Sequence, residues 1–241
     1  MSELVLGIDT STQVCVGLAR DGEVLASVAT GDSRSHAELL IPTIRSMMAR
    51  EKVEVKDLTG IAVGMGPGPY TGLRVGIAAA QMLAMVHDIQ LYHVCSLDIL
   101  GLNWGLTHPQ GDFIACTDAR RKELYWARYD NYGLRKDGPF VTSSDEIPPL
   151  PCVGPGVLAP HADVKIDSFL TIKLGLWLDR FASAWPKAED VADIVGIDAG
   201  LLAAYGPQLP DVGPEPLYLR HPDAETPGAV KSVLPADSDH R

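Results

Sequence analysis

Gly64-Met65-Gly66-Pro67-Gly68-Pro69-Tyr70-Thr71-Gly72-Leu73-Arg74-Val75-Gly76 begins as a glycine turn and ends as a helix. Ahead of it, Leu58 to Val63 is a short apolar run of the kind a buried strand makes. Behind it, Val75 to Val86 holds no helix breaker and is rich in Ala, Leu and Met, with Thr71 as candidate N-cap. A glycine loop that delivers a helix N-terminus suits an anion, because the backbone can come close and the first helical N–H groups point outward. Gly66, Gly68 and Thr71 are then the candidate contacts to a phosphate or nucleotide. The other reading is a tight strand-to-helix connection shaped by its glycines and prolines alone. Neither named nucleotide motif is complete: Pro69 stands where GxGxxG needs its third glycine, and no Lys-Ser/Thr follows to make a Walker loop.

A chain of 241 residues, 46% hydrophobic and 21% charged, can bury one large core or two smaller ones. A net charge of −11 argues against a broad basic face for nucleic acid, so any RNA would be met through a partner that supplies the cations. The first residues, Met-Ser-Glu-Leu-Val-Leu-Gly-Ile-Asp, lack the basic start of a signal peptide. The longest apolar stretch, Leu73 to Val86, carries Arg74 and Gln81 and falls short of a membrane span. Cys15, Cys95, Cys116 and Cys152 are scattered without a CxxC. They read as buried reduced thiols of a cytoplasmic protein, with neither metal nor disulfide.

Leu4–Ile8, Val14–Leu18 and Glu23–Val28 read as an antiparallel meander joined by Asp9-Thr10-Ser11-Thr12 and by Arg20-Asp21-Gly22. Ser35 can cap a helix whose apolar positions Ala37, Leu40, Ile41, Ile44, Met47 and Met48 follow the spacing of one face, with Pro42 expected to kink it or mark a late start. Strand Leu58–Val63, the loop, its helix and a strand at Gln90–Cys95 complete a mixed α/β sheet. A second copy begins at Phe113: Phe113–Asp118, like Leu4–Asp9, is an apolar run ending in Asp and followed after a polar turn by another strand, Leu124–Tyr129. Two related lobes are expected, over residues 1–107 and 108–220. The second is curtailed, with helices at Ile172–Ala184 and Ala188–Tyr205 and no further strand before Pro216-Leu-Tyr-Leu-Arg220. Residues 221–241 are polar and punctuated by proline, which predicts a disordered tail.

Ile8-Asp9-Thr10-Ser11-Thr12, the stretch from Gly64 to Gly76, Asp118-Ala-Arg-Arg-Lys-Glu-Leu-Tyr-Trp126 and Pro216–Arg220 together resemble the TsaB family, formerly YeaZ, over about residues 3 to 220. The resemblance implies an α/β, actin-like and sugar-kinase-like (ASKHA) fold. It also implies an accessory role in making threonylcarbamoyladenosine in tRNA. In the catalytic TsaD relatives a His-x-x-x-His pair binds metal on the helix after the next strand. The matching positions here are Ser96 and Leu100, which cannot replace imidazoles. No metal, cofactor or catalytic residue of its own is therefore expected. Asp9 and Thr10, at the turn where phosphotransferases of this superfamily place the nucleotide's metal, remain candidates for nucleotide contact; the alternative is that Asp9 caps its own turn. Asp118, Arg120 and Glu123 read as an inter-lobe ion cluster before a catalytic pair.

The expected function lies on surfaces. Gly72, Gly76, Ala80 and Ala84 recur at i,i+4, a smooth stripe that another helix can approach, while Val75, Ala79, Leu83 and Val86 can face the sheet. Either the first helix covers this stripe within the lobe, or the stripe joins Leu40, Ile41, Ile44 and Met48 in one patch for a second protein. The family pairs with TsaD through a helical bundle and forms homodimers without it, which implies the second arrangement. About 800 Å² per partner would be buried. A bulky charged residue at Gly76 is then expected to abolish pairing and leave the fold intact. The expected protein is a non-catalytic scaffold working with a TsaD-like enzyme and a TsaE-like ATPase, reaching tRNA only through that complex and no membrane. The alternative is a stand-alone nucleotide-dependent phosphotransferase, whose second phosphate turn could only be Val153-Gly-Pro-Gly156, where Pro155 removes a donor. A metallopeptidase would need the absent ligand pair.

Overall fold

The computed structural model describes residues 2–30, 35–107, 111–155 and 196–220. The first sheet is built from β1 (Leu4–Asp9), β2 (Cys15–Arg20), β3 (Glu23–Ala29), β4 (Gly60–Gly64) and β5 (Gln90–Val94) in the order β3-β2-β1-β4-β5. β1, β2 and β3 pair antiparallel, whereas β4 and β5 run parallel to β1. The second sheet is built from β6 (Phe113–Asp118), β7 (Glu123–Tyr129), β8 (Arg135–Ser143) and β9 (Cys152–Val153) in the order β8-β7-β6-β9. Again the first three pair antiparallel and the last is parallel to the first. One wiring pattern used twice, with helices between, is an α/β arrangement of the actin-like kind that the resemblance implies.

The helices are α1 (His36–Glu51), α2 (Tyr70–His87), α3 (Ser96–Thr107) and α4 (Ala199–Tyr205). Successive strand residues point to opposite faces, and β1 uses both. Leu4, Leu6 and Ile8 join the core beneath α1 and α2, which includes Leu40, Ile44, Leu73 and Ile77. Val5 joins a second core, shared with α3, α4 and the second sheet, whose members include Leu97, Leu100, Phe113, Tyr129 and Leu202. Gly7 and Gly17 pair across β1 and β2. They let α4 sit directly on the strands, since a Cβ at either would lie 2.2 or 2.1 Å from the Ala199 backbone.

Several boundaries differ from expectation, each for a local reason. The N-cap position of α2 is Pro69, with φ −59°, so Thr71 lies inside the first turn. At the N-cap of α1, Ser35 contributes its carbonyl to Leu39 N (3.0 Å) and not a side-chain cap. Pro42 lies within α1 and neither starts nor ends it. Leu58 and Thr59 precede β4 because a short 3-10 turn, Val55–Asp57, comes first. β8 was not legible as a strand: its run Arg135-Lys-Asp-Gly-Pro-Phe-Val-Thr-Ser is mostly polar, as an edge strand tolerates. Conversely, Pro216–Arg220 is no strand but part of an extended strap between the two sheets. Val212 N donates to His93 O (3.0 Å), Leu217 N to Met65 O (2.8 Å) and Arg220 Nη1 to Ala119 O (2.8 Å).

The helix expected from Ala188 starts in its described part only at Ala199, where Asp198 caps Gly200 N at 2.7 Å. It packs on the first sheet although its sequence position falls within the second expected lobe. The helix expected at 172–184 and the tail 221–241 lie outside the described residues. All four cysteines are free and buried. Among the described residues no helix is long and apolar enough to cross a membrane.

Candidate functional site

The glycine loop between β4 and α2 closes on the β1–β2 turn, and the contacts run residue against residue. Asp9 is fully buried; its Oδ1 accepts from Ser11 N (2.8 Å) and Ser11 Oγ (2.6 Å), and its Oδ2 from Ser96 Oγ (2.6 Å). Burial pushes its pKa up, opposed by the Ser11 and Ser96 hydrogen bonds. Ser96 in turn accepts from Gly66 N (3.1 Å), and its own N–H donates to Gly66 O (2.7 Å). Thr10 Oγ1 donates to Gly72 O (2.8 Å) and accepts from Gly76 N (3.1 Å).

The loop's glycines are explained by this closure. A Cβ at Gly64 would stand 1.8 Å from Asp9 Oδ2, and one at Gly76 2.4 Å from Thr10 Oγ1. Asp9, Thr10, Gly66 and Gly68 are thus brought together as expected of a nucleotide site, yet all four are buried and Asp9 and Thr10 are bonded within the protein. Thr71 stands apart, exposed on the first turn of α2. The Asp9 bonds to Ser11 form the self-capped turn read as the alternative from sequence. Sequence reasoning weighed Ser96 only as a failed metal ligand and missed its role in joining turn, loop and α3. A hydroxyl directly after a strand and opening a helix, with a buried carboxylate elsewhere to satisfy, is the signal that would have found it. Leu100, one turn on, lies in the shared core. Among the described residues no group of three His, Cys, Asp or Glu side chains is arranged to hold a metal.

The same packing corrects the expected partner patch. Gly72, Gly76, Ala80 and Ala84 are buried within the lobe, as are Leu40, Ile44 and Met48; of the eight named residues only Ile41 is exposed. The approach that the small stripe permits is made by Thr10 and by His36 of α1, whose Nε2 would be 3.4 Å from a Cβ at Gly72. A charged side chain at Gly76 would therefore be driven into Thr10 and would damage the lobe itself. The outward face of α2 is instead Arg74, Ala78, Met82, Met85 and Val86, with Met82, Met85 and Val86 exposed by 64%, 78% and 67%. Val86, expected to face the sheet, faces away from it.

At the second sheet's first turn, Asp118 Oδ1 accepts from Arg120 N (2.7 Å) while Arg120 Nε lies 3.7 Å from Asp118 Oδ2. Glu123 pairs with Arg220 of the strap. The expected ion cluster is thus two separate pairs, of which Glu123–Arg220 ties the strap to the second sheet. Gly154 follows β9.

Comparison with known proteins finds three kinds of likeness. Residues 23–142 match the family TsaD: tRNA N6-adenosine threonylcarbamoyltransferase. An uncharacterized protein of Mycobacterium tuberculosis is 38% identical over 224 residues, covering 92% of this chain and 93% of that one. The tRNA threonylcarbamoyladenosine biosynthesis protein TsaB of Escherichia coli is 32% identical over 126 residues, 52% of this chain and 54% of its own. Among solved structures, YeaZ from Pseudomonas aeruginosa superposes with a TM-score of 0.59 at 27% identity, covering 81% of this chain and 99% of that one.

Proposed function

This chain belongs to the TsaB/YeaZ family, and on that footing we propose that it takes part in forming threonylcarbamoyladenosine in tRNA as a non-catalytic scaffold. In this reading it pairs with a TsaD-type enzyme, which transfers the threonylcarbamoyl group from threonylcarbamoyl-adenylate to N6 of the adenosine. A TsaE-type ATPase joins the assembly, and the chain forms a homodimer when the enzyme is absent. The cytoplasm, where tRNA is modified, is its compartment.

The observation that carries the reading is the outer face of α2. Met82, Met85 and Val86 leave a run of large apolar side chains in solvent on a helix whose other face already fills a core, and neighbouring α1 adds Ile41 at 41% exposure. Such a run suits a docking surface and supports the pairing proposed here. The internal bonding of Asp9 supports the non-catalytic part, because a carboxylate sealed among serine donors offers no open position to a nucleotide's metal.

Met82→Glu tests the reading: the side chain is exposed, so the variant is expected to keep the lobe folded, as circular dichroism would check. Light scattering on a sizing column is expected to show a wild-type homodimer that is replaced by a heterodimer when the TsaD-type protein of the same organism is added. The variant is expected to remain monomeric both alone and with the TsaD-type protein, and to fail to support tRNA modification. A variant that pairs and supports modification like wild type would remove α2 from the interface.

A further inference from the structure

The chain carries 20 Lys and Arg against 31 Asp and Glu, yet one surface gathers cations about the β6–β7 turn. Arg120, Arg121 and Lys122 follow one another with φ of 64°, 52° and 68°, and all three are exposed. L residues rarely hold the left-handed region in succession. Here the turn is closed beneath them by Ala119 N to Glu123 O and Glu123 N to Arg120 O, both 3.0 Å. Arg220 reaches the same turn from the strap. Two residues earlier on the strap, Tyr218 packs against Tyr70 with ring centroids 4.7 Å apart. Arg74 Nε donates to Tyr218 Oη (3.2 Å), and the Arg74 guanidinium lies 3.7 Å above the Tyr70 ring. Both rings remain partly open, Tyr70 by 47% and Tyr218 by 38%. Two carboxylates also stand at this surface, Asp118 beside Arg120 and Glu123 beside Arg220.

We infer that the surface from Tyr70, Arg74 and Tyr218 through Arg220 to the Arg120–Lys122 turn binds the phosphates and unpaired bases of RNA, so that this chain touches tRNA directly. The inference rests on the proposed role in tRNA modification and names a contact within it. Cations on a fixed turn suit a phosphate backbone, and half-open aromatic rings beside them suit unstacked bases. The large exposed aliphatic side chains of α2 lie toward its other end, which separates this surface from the one assigned to the partner protein. An acidic remainder repels RNA elsewhere and so confines it to this face.

The test is fluorescence anisotropy of an unmodified tRNA transcript with the full chain, alone and paired with its TsaD-type partner, across a series of salt concentrations. Arg120→Asn, Arg121→Asn and Lys122→Asn are combined, because Asn tolerates left-handed backbone while removing charge. The triple variant is expected to weaken tRNA binding at least tenfold and to reduce the slope of log K against log salt by about 2, since each lost single-strand phosphate contact removes about 0.7. Partner pairing is expected to be unchanged. Tyr218→Ala is expected to weaken binding roughly fivefold with the slope preserved, through lost stacking; it decides the matter if the triple variant does not fold. Wild-type affinity and slope in the triple variant would overturn the inference. So would loss of partner pairing with RNA binding intact, which would assign the surface to a protein. If the wild-type chain neither pairs nor supports modification, the scaffold reading fails separately, and the substitutions still decide RNA binding by the chain alone.

Discussion

Asp98, on the first turn of α3, is a carboxylate that the shared core has to house. It is 2% exposed; Tyr129 Oη donates to its Oδ1 at 2.8 Å, and Arg135 of β8 places Nε 3.0 Å from the same oxygen. Burial raises the pKa of Asp98 against the pull of the Arg135 charge and the Tyr129 hydrogen bond. Arg135→Met should therefore cost about 3–5 kcal/mol at neutral pH, because it leaves a buried charge without its partner. The variant's folded pKa at Asp98 rises further above the unfolded value, so the native state binds more protons and stability falls as pH rises through that raised value. Urea unfolding at pH 5 and pH 8 checks the sign: the variant is expected to recover part of its loss at pH 5, and equal losses at both would contradict it. From sequence Asp98 reads as an ordinary acid in a first helical turn. Its partners stand 31 and 37 residues away, and no local pattern announces them.

The elements divide by what their pattern can state. The short apolar runs of β1, β2 and β6 and the long unbroken α2 were legible because each reports its own burial. The small stripe on α2 stated only that something comes close; Thr10 of the chain's own turn does so at Gly76, not a second protein. α4 is the opposite case, a short helix held by its start. Asp198 Oδ1 accepts from Gly200 N (2.7 Å), Leu201 N (3.3 Å) and Ser27 Oγ of β3 (2.6 Å). Asp198→Ala removes the cap and the tie to β3 together and is expected to cost about 1–2 kcal/mol, read as a lower urea midpoint at unchanged m value. A shift under a few tenths of a kcal/mol would mean that α4 is held by its apolar face alone.

Across the whole molecule, the repeated strand–turn–strand units ending in Asp9 and Asp118 were visible in the sequence, and the two sheets follow them. The joint between the sheets was not visible. Side chains from β1, β4, α3, α4 and the second sheet meet in one core, and Val212 and Leu217 of the strap touch both cores. The two expected lobes are proposed to unfold as one cooperative unit. Native-state hydrogen exchange is expected to give the slowest amides of β1 and β6 the same opening free energy, with Leu97→Ala lowering both by about 2–5 kcal/mol. A β6 that opens well below β1 would make the lobes independent. Ser96 carries a further consequence. It stands where the TsaD resemblance places the first imidazole of a metal-binding pair, and its hydroxyl is the donor that reaches Asp9 from outside the Asp9 turn. A lineage exchanging this serine for histidine would strip a sealed carboxylate of that donor before any metal could bind. Histidine at this position is thus expected to cost stability before it could gain a metal, so the hydrogen bond to Asp9 itself stands against that exchange.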